Sequence, residues 1–421
     1  MSNLVSQKAE HLVGSEIIKL AGEVNQKIKE GQKIYNLTIG DFNPNLFPIP
    51  AILKQYIIDA YNNNETNYPP ADGILELRTA VSNFIKKHQG LDYGVNQYLI
   101  AGGGRPLIYA IYQALIDKDD KVIYPIPSWN NNHYCHLSDA QKIEILATKE
   151  NGFLPTAKQI EPLIKQARLI ALCSPLNPTG TMFRKEQLLP ICKLVIDENN
   201  RRKSSGEKPL YVLYDQIYWM LTMKDIEHTD PVSLVSEMKE YTIFVDGISK
   251  AFAATGVRVG WSFGPEYVIS KMKSILGHIG AWAPKAEQVA VAQFLNNQDA
   301  VQLFIAELKV KITNRFSLIY KGFTVLKEKN LPVNIIAPEG AIYLTVQFAL
   351  LGKTKPNGQQ ISSTEDITSY LLNEAQLAVV PFTAFGVEKG TDWYRISVGT
   401  ITEEEIPEMI NKLEKALEKL S

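Results

Sequence analysis

The sequence predicts an α/β protein in which a large domain with a mostly parallel, helix-covered sheet is followed by a smaller α+β domain. From residue 98 onward, short and continuously apolar runs alternate with helical patterns, which is typical of a parallel sheet buried on both faces. Beyond Lys329 this regular alternation stops, and short strand-like runs and helical patterns follow one another in a different order. The change in pattern predicts that a second, smaller domain closes the chain.

The composition excludes several classes of function. Of the 421 residues, 45% are hydrophobic and 21% are charged, as in ordinary soluble globular proteins, and the formal net charge is −1. This balance gives no electrostatic reason to expect nucleic acid or an anionic membrane as a partner. The three cysteines have the spacing of neither a disulfide framework nor a zinc site, so we expect no metal. No apolar stretch approaches the roughly 18 residues of a membrane span, and we expect a cytoplasmic protein.

The N-terminal part of the chain combines one helical pattern with an extended segment. The helical pattern runs from Ser15 to Glu30, where Gly31 is placed as a stop, and residues Ile34–Gly40 are extended. A proline-rich turn region then reaches Pro50. We assign residues 1–48 to an arm that contributes to the small domain.

Residues 49–295 form the predicted large domain. Its helical patterns are Ile52–Tyr61, Ile74–His88, Pro106–Ile116 and Glu186–Glu198. Its apolar runs are Tyr98–Ile100, Val122–Tyr124, Leu169–Cys173, Tyr211–Tyr214 and Tyr241–Val245. We expect these runs to be the strands of the parallel sheet.

Residues 296–421 form the predicted small domain. A helical stretch without an evident breaker, roughly Glu287–Lys329, leads into it. Its predicted strands are Ile335–Leu344, Leu377–Val380 and Tyr394–Val398, and its predicted helices are Ser363–Gln376 and Thr402–Leu420.

Unusual residues follow the predicted strands of the large domain at their carboxyl ends, where ligands bind in open α/β sheets. These residues are Gly103–Arg105, Trp129, Asn177, Asp215 and Lys250. Lys250 is the most informative, because a buried ammonium at the end of a core strand is costly to desolvate. That cost falls if the amine is neutral or bound to a carbonyl group as a Schiff base. The alternative is a lysine that simply leaves the strand for solvent.

Six short motifs together resemble the class I and II aminotransferases, which are fold-type-I pyridoxal-phosphate enzymes. The motifs are Gly102–Arg105, Pro127–Trp129, Asn177–Gly180, Asp215–Tyr218, Ser249–Trp261 and Arg395–Ser397, in the order of that family. The resemblance implies the PLP-dependent transferase fold, with a seven-stranded type of sheet, and pyridoxal 5′-phosphate (PLP) as cofactor. It also implies a homodimer with shared active sites that moves an amino group between an L-amino acid and a 2-oxo acid.

The resemblance assigns roles around the cofactor ring. A carboxylate must face the ring nitrogen to keep it protonated, and Asp215 occupies the family position for this carboxylate. Asn177 and Tyr218 match the donors to the phenolic oxygen, and Trp129 matches the aromatic residue that stacks on the ring. Read alone, Asp215 is equally consistent with a helix cap or a turn residue, whereas Asn177 is typical of the first position of a proline-containing turn and Trp129 is typical of a core residue.

A second group matches the binding site of the cofactor phosphate, which needs backbone N–H groups at a helix N-terminus together with cations. Its members are Gly103, Gly104, Arg105, Ser249, Arg258 and Tyr68. Tyr68 resembles the tyrosine that reaches the phosphate across the dimer interface, and a surface loop tyrosine is the alternative. The glycines do not match a dinucleotide-binding fingerprint, because Leu107 stands where its third glycine would be.

Three further residues match the reaction centre and the substrate site. Lys250 matches the lysine that holds the cofactor as a Schiff base and moves the proton, for which its pKa must be lowered. Arg395 matches the arginine that binds the substrate α-carboxylate, and Gly40 matches the glycine beside it. Trp129 and Asn177 also belong to the substrate site by this resemblance.

Two positions depart from the family pattern. Gly247 stands where the family usually has a hydroxyl residue for the phosphate, so that Ser249, Arg105 or water must compensate. Phe382 replaces a customary glycine, and it either narrows the mouth of the substrate site or packs in the interior.

The resemblance leaves some alternatives open. A PLP-dependent lyase on the same fold, which would eliminate at Cβ or form an aminocyclopropane, shares the same motifs. A PLP-sensing regulator is disfavoured, because only a short segment precedes the first motif. For the substrate, Arg105 favours a dicarboxylate pair such as aspartate with 2-oxoglutarate, unless this side chain binds phosphate or lies at an interface. His278 and Trp282 would suit aromatic amino acids, which are the second choice.

Overall fold

The computed structural model describes residues 4–12 and 16–421. Ser15, the predicted start of the first long helix, lies outside the described residues, and that helix is described from Glu16 to Lys29. Within the described residues, no helix is both long enough and apolar enough to cross a membrane.

Helices and strands alternate through the first two thirds of the described chain. The helices are α1 Gln7–Glu10, α2 Glu16–Lys29, α3 Ala51–Asn62, α4 Leu75–Gln89, α5 Gly104–Leu115, α6 Asn131–Leu137, α7 Ala157–Ile160, α8 Lys185–Ser205, α9 Pro231–Leu234, α10 Ile248–Ala251, α11 Glu266–Ile279, α12 Lys285–Asn296, α13 Gln298–Glu328, α14 Thr364–Glu374 and α15 Glu405–Glu418. The strands are β1 Tyr35–Asn36, β2 Tyr98–Ala101, β3 Lys121–Ile126, β4 Gln141–Leu146, β5 Ala167–Cys173, β6 Tyr211–Asp215, β7 Thr242–Gly247, β8 Gly260–Phe263, β9 Val333–Ile335, β10 Tyr343–Phe348, β11 Leu377–Ala378, β12 Val380–Pro381 and β13 Trp393–Ser397.

The large sheet has seven strands in the described chain, in the order β2-β8-β7-β6-β5-β3-β4. All neighbouring pairs are parallel except those of β8, which is antiparallel to both β2 and β7. The predicted α/β class with a mostly parallel sheet is therefore confirmed. Two strands were not predicted: β4 is an edge strand that is largely exposed, and β8 lies inside the motif after Lys250.

Helices cover both faces of this sheet. On one face, α5 and α11 contribute Leu107, Ile111 and Met272 to an apolar core. On the other face, a larger core contains Phe84 of α4 and Phe294 of α12, together with side chains of α8. Because both faces are buried, polar groups of the strands can reach a ligand only at the strand ends.

A second core surrounds a smaller antiparallel sheet with the strand order β12-β13-β10-β9. Side chains of α13, α14 and α15 pack on it, among them Phe316, Leu371 and Leu413. The N-terminal segment joins this core, because β1 pairs with β11 in parallel and Leu37 is buried there. The domain boundaries at residues 48/49 and 295/296 stay a prediction.

The predicted long helix Glu287–Lys329 is wrong in one respect, because it is interrupted at Asn297. Helix α12 ends at Asn296 and α13 begins at Gln298, where the Asn297 side chain accepts a hydrogen bond from the backbone N–H of Ala300. An asparagine side chain competes with the backbone in this way and favours a helix start over a helix interior. The break separates a helix of the large core from a helix of the small core.

The predicted strand Ile335–Leu344 is also wrong, since it is two strands joined by a turn. Strand β9 ends at Ile335 and β10 begins at Tyr343. Between them, the backbone N–H groups of Glu339 and Gly340 both donate to the carbonyl oxygen of Gly180, at 2.9 and 3.0 Å. The turn is therefore held by the loop after β5, which gives no signal in the local sequence.

Gly180 lies directly against strand β10 of the small sheet. Its φ is +72°, and a Cβ on it would collide with the carbonyl oxygen of Tyr343 in β10. The Thr345 hydroxyl of β10 donates to the carbonyl oxygen of Thr179, 2.9 Å away, so the loop lies directly on the strand.

We predict that Gly180→Ala destabilises the protein much more than Gly206→Ala. Gly206 has nearly the same φ, +70°, but nothing lies within 4 Å of an added Cβ, so its substitution costs only the backbone strain of roughly 1–2 kcal/mol. Thermal unfolding of both variants in the ligand-free state measures the difference. Equal losses of Tm would contradict the steric role of Gly180.

Candidate active site

A cavity of about 680 Å³ lies at the carboxyl ends of the parallel strands, between the two cores. It is lined by most of the residues that the sequence predicted, namely Gly40, Gly104, Arg105, Trp129, Asn177, Asp215, Tyr218, Ser249, Lys250, Arg258 and Arg395. Gly103 and Tyr68 do not line it. The topology thus brings together residues from nearly the whole length of the described chain.

Lys250 lies on the short helix α10, directly after strand β7. Its Nζ donates a hydrogen bond to the carbonyl oxygen of Gly40, 2.6 Å away. Desolvation by the surrounding protein, assisted by the positive charges of Arg395, Arg105 and Arg258, lowers the pKa of Lys250 to about 8. Roughly a tenth of this amine is therefore neutral, and nucleophilic, at pH 7, far more than for an ordinary lysine.

Asp215 is the last residue of β6, and its carboxylate accepts a hydrogen bond from the backbone N–H of Ile217 at 3.1 Å. Burial raises the pKa of Asp215 to about 6, and no cation among the described residues forms an ion pair with it. A desolvated carboxylate without a counter-ion is suited to a ligand that brings a cationic N–H group.

Arg395, in β13, is 1% exposed and is held by two hydrogen bonds. Its Nη2 donates to the carbonyl oxygen of Thr38 at 2.5 Å, and its Nη1 donates to Oδ1 of Asn177 at 3.1 Å. Its Nε has no partner among the described residues. A guanidinium with unused donor capacity in a cavity is suited to bind a carboxylate.

Arg258 is fixed by the backbone near the start of α5. Its Nη1 donates to the carbonyl oxygen of Thr255 at 2.7 Å, and its Nη2 donates to that of Gly102 at 2.6 Å. A Cβ on Gly103 would collide with Nη2 of Arg258, so Gly103 makes room for this side chain instead of lining the cavity. Helix α5 begins at Gly104, and this corner of the cavity can therefore bind an anion.

Tyr218 forms a hydroxyl–hydroxyl hydrogen bond of 2.7 Å with Tyr343, and burial raises the pKa of both phenols. A Cβ on Gly40 would lie 2.7 Å from the Tyr343 hydroxyl and 3.5 Å from Nη1 of Arg395, which explains the glycine. Tyr343 was missed by the sequence reasoning, because it lies in a strand whose limits were wrong and belongs to none of the quoted motifs.

Trp129 and Arg105 form one wall of the cavity. The Arg105 guanidinium carbon lies 5.3 Å from the Trp129 ring centroid, within the range of a cation–π contact. Arg105 is exposed, and no carboxylate of the described chain forms an ion pair with it. The charge of this arginine is thus not neutralised by a carboxylate, and its N–H donors are not engaged by the contact with Trp129.

Tyr68 is placed differently from the other predicted residues. Its side chain is 81% exposed, and its ring contacts the ring of Trp282 edge to face at a centroid distance of 5.2 Å. Within a single chain it lies outside the cavity. His278 and Trp282, which were considered for aromatic substrates, do not line the cavity either.

The two departures from the family pattern have physical explanations. A Cβ on Gly247 would lie 2.8 Å from Cα of Gly260 and 2.9 Å from the carbonyl oxygen of Val259, so β8 occupies the space of a side chain there. Phe382 is 1% exposed and packs on Phe153, with a centroid distance of 5.3 Å. It packs in the interior and does not line the cavity.

Two further cavity residues, Asp41 and Thr255, were also missed. The Thr255 hydroxyl donates to Oδ1 of Asp41 at 2.8 Å, which ties the N-terminal segment to the loop after Lys250. Both are short polar residues in loops, and the sequence offers no signal that the two loops meet. Within the described residues, no group of three or more His, Cys, Asp or Glu side chains is arranged to hold a metal ion.

Comparison with known proteins relates this chain to transaminases over nearly its whole length. The sequence model of the family "Aminotransferase class I and II" matches residues 32–413. The aspartate aminotransferase of Rhizobium meliloti is 29% identical over 97% of this chain and 94% of its own length. A probable aspartate/prephenate aminotransferase of Rhizobium leguminosarum is 31% identical over 93% of this chain and 94% of its own.

Solved structures agree with these sequence relatives. The crystal structure of the aspartate aminotransferase from Rhizobium meliloti superimposes with a TM-score of 0.89 at 27% identity and covers both chains completely. The aspartate aminotransferase of Thermus thermophilus with maleate has a TM-score of 0.87 at 25% identity, and the match covers 99% of this chain and 100% of that chain.

We predict that Lys250 reacts with a small amine-acylating reagent in the ligand-free protein at a rate that rises with pH and levels off above about pH 8. The neutral amine is the reactive form, so the rate levels off once the pH exceeds the pKa of Lys250. The protein lowers this pKa to about 8, compared with about 10.4 for an ordinary lysine. Peptide mass spectrometry of the wild type and of Lys250→Met identifies the site. A rate that follows the ordinary lysine value would contradict the lowered pKa.

Proposed function

Because the chain belongs to the class I and II aminotransferases, it is a PLP-dependent enzyme that moves an amino group between an amino acid and a 2-oxo acid, and we propose that the cavity described above is its active site. The observation that carries this proposal is the presence, in one cavity, of a lysine with a lowered pKa and a carboxylate without a counter-ion. When bound, PLP supplies an aldehyde and an electron-withdrawing ring that must stay protonated at nitrogen.

Lys250 is the catalytic residue in this proposal. Its amine would hold the cofactor through the aldehyde carbon, with water as the leaving group, and as a free amine it would move the proton between substrate and cofactor. A pKa of about 8 lets the same group accept and then donate a proton near neutral pH. The hydrogen bond to the Gly40 carbonyl oxygen orients the amine from the N-terminal segment.

The groups around Lys250 fit the remaining parts of the cofactor. Asp215 holds the proton of the ring nitrogen, and the ring in turn supplies the cation that this carboxylate lacks. Asn177 and Tyr218 donate to the phenolic oxygen, and Trp129 packs on the ring. These roles follow the family pattern and agree with the way these side chains line one cavity.

The phosphate is bound at the start of α5 in this proposal. Backbone N–H groups at Gly104, the Ser249 hydroxyl and the Arg258 guanidinium provide the donors, and Gly103 allows Arg258 to lie there. The space beside Gly247 is filled by backbone, so Ser249 is the nearer source of a hydroxyl group.

The amino-acid carboxylate is bound by Arg395, with Gly40, Trp129 and Asn177 completing the substrate site. The burial of Arg395 and its unpartnered Nε support this assignment. Asn177 then has two roles, because its Oδ1 already accepts a hydrogen bond from Arg395 and its amide N–H group donates to the phenolic oxygen of the cofactor in this proposal.

We propose a dicarboxylate pair such as aspartate with 2-oxoglutarate as the physiological substrates, with aromatic amino acids second. The two Rhizobium relatives are named an aspartate aminotransferase and a probable aspartate/prephenate aminotransferase. The Thermus thermophilus structure contains maleate, which is a dicarboxylate. In this chain, Arg105 is a cation at the cavity wall that is not paired with a carboxylate. It is therefore available for a second substrate carboxylate, whereas Arg258 is held by backbone carbonyl groups beside the phosphate and donates to the phosphate in this proposal.

We further propose a homodimer in which Tyr68 reaches the phosphate of the partner subunit. The support is that Tyr68 is highly exposed and lies outside the cavity of its own chain. An active enzyme that sediments as a monomer would contradict the shared site. The cytoplasmic location and a role in amino-acid biosynthesis stay predictions.

The function is tested by Asp215→Asn, which keeps the shape of the side chain but removes its charge. We expect the variant to bind PLP, seen by its absorbance, while kcat falls by at least about a hundredfold, because the ring proton loses its anionic partner. Asp230→Asn is the matched control, since Asp230 is 4% exposed and caps α9 away from the cavity. An unchanged kcat in Asp215→Asn would remove Asp215 from the site.

Arg105→Met tests the substrate proposal. We expect kcat/KM for aspartate to fall by about tenfold or more while that for phenylalanine changes little, since only aspartate brings a second carboxylate. Arg105→Lys, which keeps the charge but not the planar donor pair, should lie between the two. Equal losses for both substrates, or a loss of PLP affinity, would instead assign Arg105 to the phosphate.

A further inference from the structure

Arg395 is held in its orientation by two aromatic rings. The guanidinium carbon lies 4.7 Å from the Tyr343 ring centroid and 5.0 Å from the Phe385 ring centroid. No carboxylate of the described chain forms an ion pair with Arg395, and the neighbouring phenols Tyr218 and Tyr343 are uncharged near neutral pH, because burial raises the pKa of both. Aromatic faces attract a guanidinium without occupying its N–H donors, whereas a carboxylate would compete with the substrate for them.

The two rings are not equivalent. Tyr343 lines the cavity and shares a hydrogen bond with Tyr218, so that it belongs to the site itself. Phe385 is 2% exposed and does not line the cavity, although its ring contacts Arg395 and lies 6.4 Å from the ring of Trp129. Phe385 therefore contacts two cavity residues, Arg395 and Trp129, without lining the cavity itself.

The turn that carries Phe385, Phe382–Phe385, is itself fixed to the large core. The Phe385 carbonyl oxygen accepts a hydrogen bond from the backbone N–H of Ser128 at 3.0 Å, next to Trp129. The following residue, Gly386, has a φ of +91°, and a Cβ there would lie 3.0 Å from Cγ2 of Ile126. The position of the Phe385 ring is thus determined by the end of strand β3, although the turn follows β12 in the small sheet.

We propose that Phe385 is a positioning residue for substrate binding, which holds the Arg395 guanidinium in the plane that receives the amino-acid carboxylate. The inference rests on the proposed role of Arg395. Phe385 acts through Arg395 and does not touch the substrate. Because every amino-acid and 2-oxo-acid substrate brings this carboxylate, the effect of Phe385 is common to all of them and differs from the selective effect of Arg105.

Phe385→Leu tests the inference, because leucine keeps an apolar side chain but removes the aromatic face. We expect KM to rise about tenfold for aspartate, phenylalanine and 2-oxoglutarate alike, equivalent to about 1.4 kcal/mol, with kcat within about twofold of the wild type. The absorbance spectrum and the affinity for PLP stay unchanged, because the contact with Trp129 is peripheral.

Phe382→Leu is the matched control. Phe382 is 1% exposed and lies in the same buried cluster, but it contacts Phe153 and Phe385, not Arg395. We expect a comparable loss of Tm and an unchanged KM. If both variants raise KM equally, general loosening of the cluster explains the effect and the inference is wrong.

Arg395→Leu distinguishes the proposed carboxylate role of Arg395 from the proposed positioning role of Phe385. If it raises KM strongly while Phe385→Leu does not, Arg395 binds the carboxylate without help from Phe385, and only this inference fails. If Arg395→Leu leaves KM unchanged, the proposed carboxylate site fails and this inference with it. If both proposals are correct, Phe385→Leu does not raise KM further in the Arg395→Leu background. The guanidinium that Phe385 positions is then absent, so the double-mutant cycle shows a full coupling between the two residues.

Discussion

The desolvation of the Lys250 amine is the constraint on which the rest of the site depends. A lysine in this position is protonated in water and is made partly neutral only by the protein around it, with three arginines nearby. Of the charged side chains that line the cavity in the described chain, four are cationic (Arg105, Lys250, Arg258, Arg395) and two are carboxylates (Asp41, Asp215). The three arginines repel the proton from the amine, although Asp41 partly opposes them. In the proposed function, the same arginines also attract a ligand that carries a phosphate and a carboxylate.

Neither core could build this cavity alone. The large sheet provides Asp215 and Lys250 at the ends of neighbouring strands, where the register places Asp215 opposite Val245. The small sheet provides Arg395, and the N-terminal segment provides the backbone groups that bind both Lys250 and Arg395. Interlocking backbone contacts, such as those of Gly180 with the turn before β10, keep the two parts at a fixed distance. The geometry of the site is therefore a property of the contact between the cores.

Local patterns in the sequence were sufficient for the main strands and for the residues at their carboxyl ends, because burial on both faces leaves an unmistakable apolar run. They failed where a distant segment determines the local structure. Tyr343 belongs to the site through its hydrogen bond with Tyr218. The turn before Tyr343 is held by the Gly180 carbonyl oxygen, and the turn that carries Phe385 is held by the backbone N–H of Ser128. Asn297 is a different failure, since its capping signal is local and was visible in the sequence. The resemblance to a family assigned the motif residues together with Gly40 and Tyr68, but it carried no information on Asp41, Tyr343 or Phe385.

The long sequence separation within the proposed carboxylate site has a consequence for biosynthesis. The Arg395 guanidinium and the Thr38 carbonyl oxygen that holds it are 357 positions apart, whereas the proposed cofactor half of the cavity lies almost entirely between residues 104 and 258. During translation, the N-terminal segment must therefore wait for strand β13 to leave the ribosome before its partner exists. Strand β1 likewise pairs with a strand that is made late, because its partner β11 begins at Leu377. In the proposed function, the binding site for the amino-acid carboxylate is thus completed only after the residues of the cofactor site have been made.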